Sequence, residues 1–179
     1  MKKITTYLFS MMLLFSFAVI PVYALDGQNV NFDLHSIVYD DGEAIDSVVL
    51  KTSNLEIDHS KITKDIFKVH ATGTTVYSSQ LENEFFGPNS QSGLQHCGLY
   101  DEEREIESVE EKNGNIILHL VTNKETKGKN TLDFTANFST LKGCNSLLNI
   151  KYEITLNKGL PLKDGSELSI FNFYKTKKS

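Results

Sequence analysis

The sequence predicts an all-β domain, an antiparallel sandwich of about seven to nine strands, and three observations carry that expectation. Apolar and polar residues alternate with period two in several short runs. Turn chemistry recurs between the runs, with Asn113-Gly114 the strongest hairpin signal. No stretch shows a helical period of convincing length.

In chain order, residues 29–35 alternate strictly, so Val30, Phe32 and Leu34 are expected to share one buried face. A turn follows at residues 39–43, marked by Asp41-Gly42. Residues 47–52 are β-branched and apolar and read as a second strand. Residues 58–65 are too polar and too short for a packed helix and suit a turn or one helical loop crossing between layers. Phe67, Val69 and Ala71 then mark a third strand with one buried face.

Between residues 74 and 104 the pattern loosens into an insertion rich in turn residues at 87–93, where binding surfaces tend to be built. The plainer reading is a surface loop whose Phe85 and Phe86 tuck back onto the domain. Residues 106–109 and 115–121 flank Asn113-Gly114 and are expected to pair, the second being apolar on both faces and so central. After a solvated turn at 123–130, Leu132, Phe134, Ala136 and Phe138 alternate and are expected to point inward. Residues 148–156 carry the cleanest alternation, and 168–174 form the last strand.

The chain opens with Lys2-Lys3, an apolar run over residues 7–22 and Val22-Tyr23-Ala24, which together predict a secretory leader at residues 1–24. The rival, an uncleaved anchor, fits less well because the run is short for a bilayer span. A single domain at 25–179, soluble and secreted or held at the cell envelope, is the expectation. The chain has 18 basic and 23 acidic residues; without Lys2 and Lys3 the balance is 16 against 23, or −7. That argues against nucleic acid or an anionic membrane as partners drawn by bulk charge.

Cys97 and Cys144 lie 47 positions apart in a chain expected to leave the cytoplasm. An oxidising exterior favours a disulfide, stabilising by roughly 4 kcal/mol through loop closure. The rivals are two free thiols or a metal site, the latter disfavoured without CxxC spacing. Of the five histidines, none is spaced to share a metal from one helix. His96 beside Cys97 could activate a thiolate in principle, but neighbours on a strand point apart. His119 in an apolar run reads as a satisfied histidine. Asp40, Asp41, Glu43 and Asp46 cluster as a calcium loop would, though a solvated turn explains them as well. The acidic residues at 101–111 read as an exposed face that opposes edge pairing. No metal or cofactor is expected.

Ile45, Val48, Val49, Leu50, Ile57, Asp58, Ile62, Asp65, Phe67 and Val69 follow the order Ile-x-x-Val-Val-Leu, Ile-Asp, Ile-x-x-Asp-x-Phe-x-Val. This order resembles the immunoglobulin-like domain at the N-terminus of secreted bacterial esterases of the α/β-hydrolase class. The resemblance extends loosely over residues 29–174. It implies an immunoglobulin-like fold and an accessory role beside a hydrolase, not the hydrolase itself. No Gly-x-Ser-x-Gly elbow is present, and the nearest stretch, residues 89–93, lacks the first glycine. The expected function is therefore binding without catalysis, by assisting a partner hydrolase or an assembly. The alternative is an envelope or adhesion module binding a wall or host ligand. Tyr77, Phe85, Phe86 and Tyr100 are the expected aromatic anchors.

Overall fold

In a computed structural model, residues 28–39, 42–87, 93–122, 131–169 and 171–175 are described. The leader expected at 1–24, Asp40, Asp41, the stretch 88–92 and the turn expected at 123–130 lie outside them. The described chain is mostly β, as expected. One sheet orders its strands β12-β1-β2-β7-β6, using Phe171–Lys175, Gln28–Tyr39, Gly42–Leu50, Asn115–Leu120 and Ile106–Lys112. The second orders β4-β8-β9-β3-β5, using Leu94–His96, Leu132–Asn137, Lys142–Leu156, Phe67–Thr75 and Tyr100–Arg104. A two-stranded ribbon pairs β10, Leu160–Pro161, with β11, Glu167–Leu168.

Both sheets give one face to a common core. Val30, Phe32, Val48, Leu50, Ile116 and Leu118 come from the first sheet, and Val69, Ala71, Leu148, Tyr152 and Ile154 from the second. Alternation decides these positions, since each lies two residues from a partner on the same face. Along β1 the alternation ends at a register shift between His35 and Ser36, beyond which Ile37 and Val38 are exposed. Asn113 and Gly114, at φ 55° and 75°, make the expected tight hairpin between β6 and β7. β12 runs parallel to β1, the exception in two otherwise antiparallel sheets. Parallel neighbours need a long crossover, and nearly the whole domain supplies it here.

The polar stretch after β2 forms two short 3-10 turns, His59–Lys61 and Lys64–Ile66. Asp58 caps the first: its carboxylate accepts from Ser60 N at 3.3 Å and pairs with Lys61 Nζ at 2.8 Å. The lysine contact, ahead of the serine one, holds the Asp58 carboxyl down at about 2.

Two readings of the sequence are corrected. The insertion at 74–104 contains an α-helix, α1, Ser79–Phe86, and the strands β4 and β5. Ser78 Oγ caps the helix by accepting from Leu81 N at 3.3 Å, and Gly87, at φ 102°, ends it. The second correction is β8. Leu132, Phe134 and Phe138 do not point inward: Phe134 is 46 % exposed and Phe138 62 %. The buried residues of that strand are Asp133, Thr135, Ala136 and Asn137, with Thr131 before it.

Candidate functional site

β8 presents two unusual faces, and each is a candidate site. Its inner face is polar. Thr135 pairs across to His96 on β4 and to Cys144 on β9, while Asp133 pairs with Ser146. These side chains lie at the end of the sheet beyond the apolar core, where α1 meets β4 and β9. Glu82 of α1 reaches His96, and Lys142 Nζ of β9 donates to the Phe85 carbonyl at the helix C-terminus, 3.1 Å away. The helix therefore spans β8, from β4 to β9, with Phe86 buried beneath it.

His96 is the hub of that layer. Its Nδ1 lies 2.6 Å from Asp133 Oδ2 and 3.0 Å from Thr135 Oγ1, and its Nε2 lies 3.2 Å from Glu82 Oε1. Asp133 is fully buried and accepts two further bonds, from Gly98 N at 2.9 Å and from the Thr135 hydroxyl at 2.6 Å. Gly98 has to be glycine: a Cβ there would sit 2.5 Å from the Leu132 carbonyl oxygen. Burial pushes the Asp133 carboxyl up, but bonds from Thr135, His96 and Gly98 outweigh it and hold it below its ordinary value. Both nitrogens of His96 are engaged, so the ring has no lone pair aimed at a nucleophile. Ser146 Oγ is buried without a hydrogen-bond partner, but no imidazole nitrogen is free to serve it. The arrangement is that of a hydrogen-bonded clamp between α1 and its sheet.

The outer face is apolar. Phe134, Phe138, Leu141 and Leu147 are exposed by 46, 62, 90 and 64 %, with Leu147 directly across from Leu132. Asn145 and Gly143 fill the remaining places opposite Phe134 and Ala136, so this face of the β8-β9 pair carries no charged side chain. Scattered exposed apolar residues are ordinary; a contiguous set on one sheet face marks a contact surface.

The four expected anchors are divided by the fold. Phe85 is exposed on α1 and Tyr77 is half-buried. Phe86 and Tyr100 are buried, and Tyr100 joins the core, its ring lying against Gly73. As surface anchors, Phe86 and Tyr100 are corrected. Sequence reasoning missed Arg104, which is 3 % exposed. It donates to the Ile45 and Val121 carbonyls, each at 3.2 Å, and to Tyr152 Oη. From the edge of one sheet it ties down the other.

The expected disulfide is also corrected, because both cysteines are free. Cys97 N donates to the Phe134 carbonyl on one side of β8, and Cys144 pairs with Thr135 on the other. Two strand spacings put their backbones roughly 10 Å apart, beyond the reach of a disulfide. Alkylation of the native protein is expected to label exposed Cys97 quickly and half-buried Cys144 slowly, with two thiols titrated after unfolding. An unreacted pair recovered only after reduction would contradict this register.

Of the acidic turn, Asp40 and Asp41 lie outside the described residues. Glu43 is engaged by Ser36 and by the Thr131 hydroxyl. Among the described residues no group of three or more histidine, cysteine or acidic side chains converges to hold a metal. The residues at 101–111 lie on β5 and β6, edge strands of the two sheets, with Asp101, Glu103, Glu107, Glu110 and Glu111 exposed. An open groove beside them is lined by Lys64, Asp65, Lys68, Glu103 and Glu105, a mixture of charges with no single sign to select a ligand. No helix among the described residues is long and apolar enough to cross a membrane.

Comparison with known proteins locates a fold. No family model matches the chain, and no curated protein matches it. A solved structure described as "Crystal Structure of a Thermostable Esterase" is similar at 18 % identity and a TM-score of 0.50. The likeness covers 80 % of this chain and 35 % of that one. At that identity the likeness is one of fold, and about two thirds of the esterase chain lies outside it.

Proposed function

We propose that this chain is an exported, non-catalytic, immunoglobulin-like module that docks a partner protein of the α/β-hydrolase class on the outer face of β8 and β9. The observation that carries the reading is the inversion of β8. Asp133, Thr135 and Asn137 are buried while Phe134, Phe138 and Leu147 face water. Full burial of side chains of that size is worth about 1.5–3 kcal/mol each, and a partner seated on the face would recover the share that their exposure forgoes. The uncharged face fits a partner with an apolar contact and not one steered by charge.

A hydrolase is the favoured occupant for two reasons. The fold is like part of an esterase structure whose remaining length is outside the likeness. The residues from Ile45 to Val69 also resemble the accessory domain of secreted esterases.

The test is capture from the producer's own culture fluid and envelope, with residues 25–179 as bait and Phe138→Asp/Leu147→Asp as control. A captured α/β-hydrolase that binds the variant at least about a hundredfold more weakly is the expected result. A wall polymer or an adhesin receptor as the captured species, equal binding by the variant, or empty capture would each overturn the reading. So would a dimer in sedimentation that the variant abolishes, which would make a second copy the occupant. Hydrolysis of a short-chain ester by the purified chain, lost in His96→Ala, would overturn the non-catalytic part.

A further inference from the structure

We infer that α1 is held over the β4-β8-β9 end of its sheet by a proton-dependent clasp at His96, closed while the imidazole is charged and released when it loses its proton. The inference rests on donor counting and not on the docking reading. An ionised carboxylate only accepts hydrogen bonds. His96 stands between two of them, with Nδ1 2.6 Å from Asp133 and Nε2 3.2 Å from Glu82. Both contacts can be hydrogen bonds only when both ring nitrogens carry protons. A neutral ring has one N–H, so one carboxylate must then face a lone pair.

The fold decides which contact is lost. Asp133 is fully buried, is pinned by Gly98 N and Thr135, and lies closer to the ring, so the remaining proton stays on Nδ1. Glu82 is left facing the unprotonated Nε2, and it belongs to the element that can move. Among the described residues, the groups facing His96 are Glu82 from α1 and Asp133 with Thr135 from β8. Cys144 from β9 sits on the same rung beyond Thr135. Lys142 is the nearby cation, but it is engaged at the helix C-terminus through the Phe85 carbonyl and so tethers the far end. Breaking the His96–Glu82 contact therefore loosens α1 and leaves the sheet beneath it in register. What opens is the polar layer of Thr135, Cys144 and Ser146.

Amide hydrogen exchange between pH 5 and 9, corrected for the intrinsic pH dependence of exchange, tests the clasp in the native protein. Protection of the α1 amides is expected to fall at least tenfold as the pH rises, while β3 and the second half of β9 keep theirs. The midpoint is expected to coincide with the His96 imidazole titration followed by NMR. In Glu82→Gln, whose amide can donate to a neutral ring or accept from a charged one, the pH dependence is expected to vanish with the helix retained. Protection of α1 that does not change with pH overturns the clasp, as does a midpoint unrelated to His96 or an equal fall in Glu82→Gln.

Discussion

Replacing Asp133 by Ala is expected to destabilise the fold by about 3 kcal/mol, the largest effect of any single change in the polar layer. Three groups lose their acceptor together: the His96 Nδ1 proton, the Thr135 hydroxyl and Gly98 N–H. Turning to water would disturb β4 or β8, because Asp133 and Thr135 are fully buried at the centre of the site. For a domain of this size the loss corresponds to a fall in Tm of roughly 10 °C. Asp101→Ala is the matched control, since that carboxylate is 76 % exposed and meets only His70 at the surface, and no measurable loss is expected. Equal effects from the two would show that the buried network contributes nothing beyond a surface pair.

The same carboxylate sets an acid limit. Its folded pKa lies below the ordinary 3.8, so the folded state binds fewer protons than the unfolded chain between the two values. The contribution of Asp133 is complete above about pH 4 and is lost as the pH falls through the folded pKa. Denaturant midpoints of the parent are expected to drop over that acid range, and those of Asp133→Asn to drop less.

The second large effect belongs to Arg104. Arg104→Ala is expected to cost about 3 kcal/mol, because it leaves the Ile45 and Val121 carbonyls and Tyr152 Oη without a donor and opens a void between the sheets. The guanidinium also lies 5.9 Å from the centre of the Tyr152 ring. Burial pushes the Tyr152 phenol upward, and the neighbouring cation offsets only part of that rise. Arg104→Met separates the causes. It refills most of the space and removes a charge that is itself costly to bury, so its loss is expected to be half that of Ala or less. Equal losses in chemical denaturation would assign the whole effect to hydrogen bonding.

Much of the fold is legible along the chain. The alternation of Val30 with Phe32, of Phe67 with Val69 and Ala71, and of Leu148 through Ile154 marks the strands that build the core. Asn113-Gly114 marks its hairpin, because both residues accept positive φ. The helix was harder to see, since eight residues are too few for a period of 3.6 to declare itself. Its ends were written nonetheless, in Ser78 as cap and Gly87 as stop. The candidate sites were less legible. The aromatic signal led to Phe86 and Tyr100, which the core absorbs, and passed over Phe138 and Leu147.

By itself, the sequence determined the β class, most strand positions and the residues that alternate, because these follow from local sterics and a period of two. Tertiary structure alone decided which face of β8 turns inward. Alternation sorts a strand into two faces but does not say which meets the core, and at β8 the choice went to the face that α1, β4 and Glu43 could satisfy with hydrogen bonds. Arg104 depended on tertiary structure for the same reason, since its carbonyl acceptors lie 59 and 17 positions away along the chain. So did the cysteines, kept apart by the strand that runs between them.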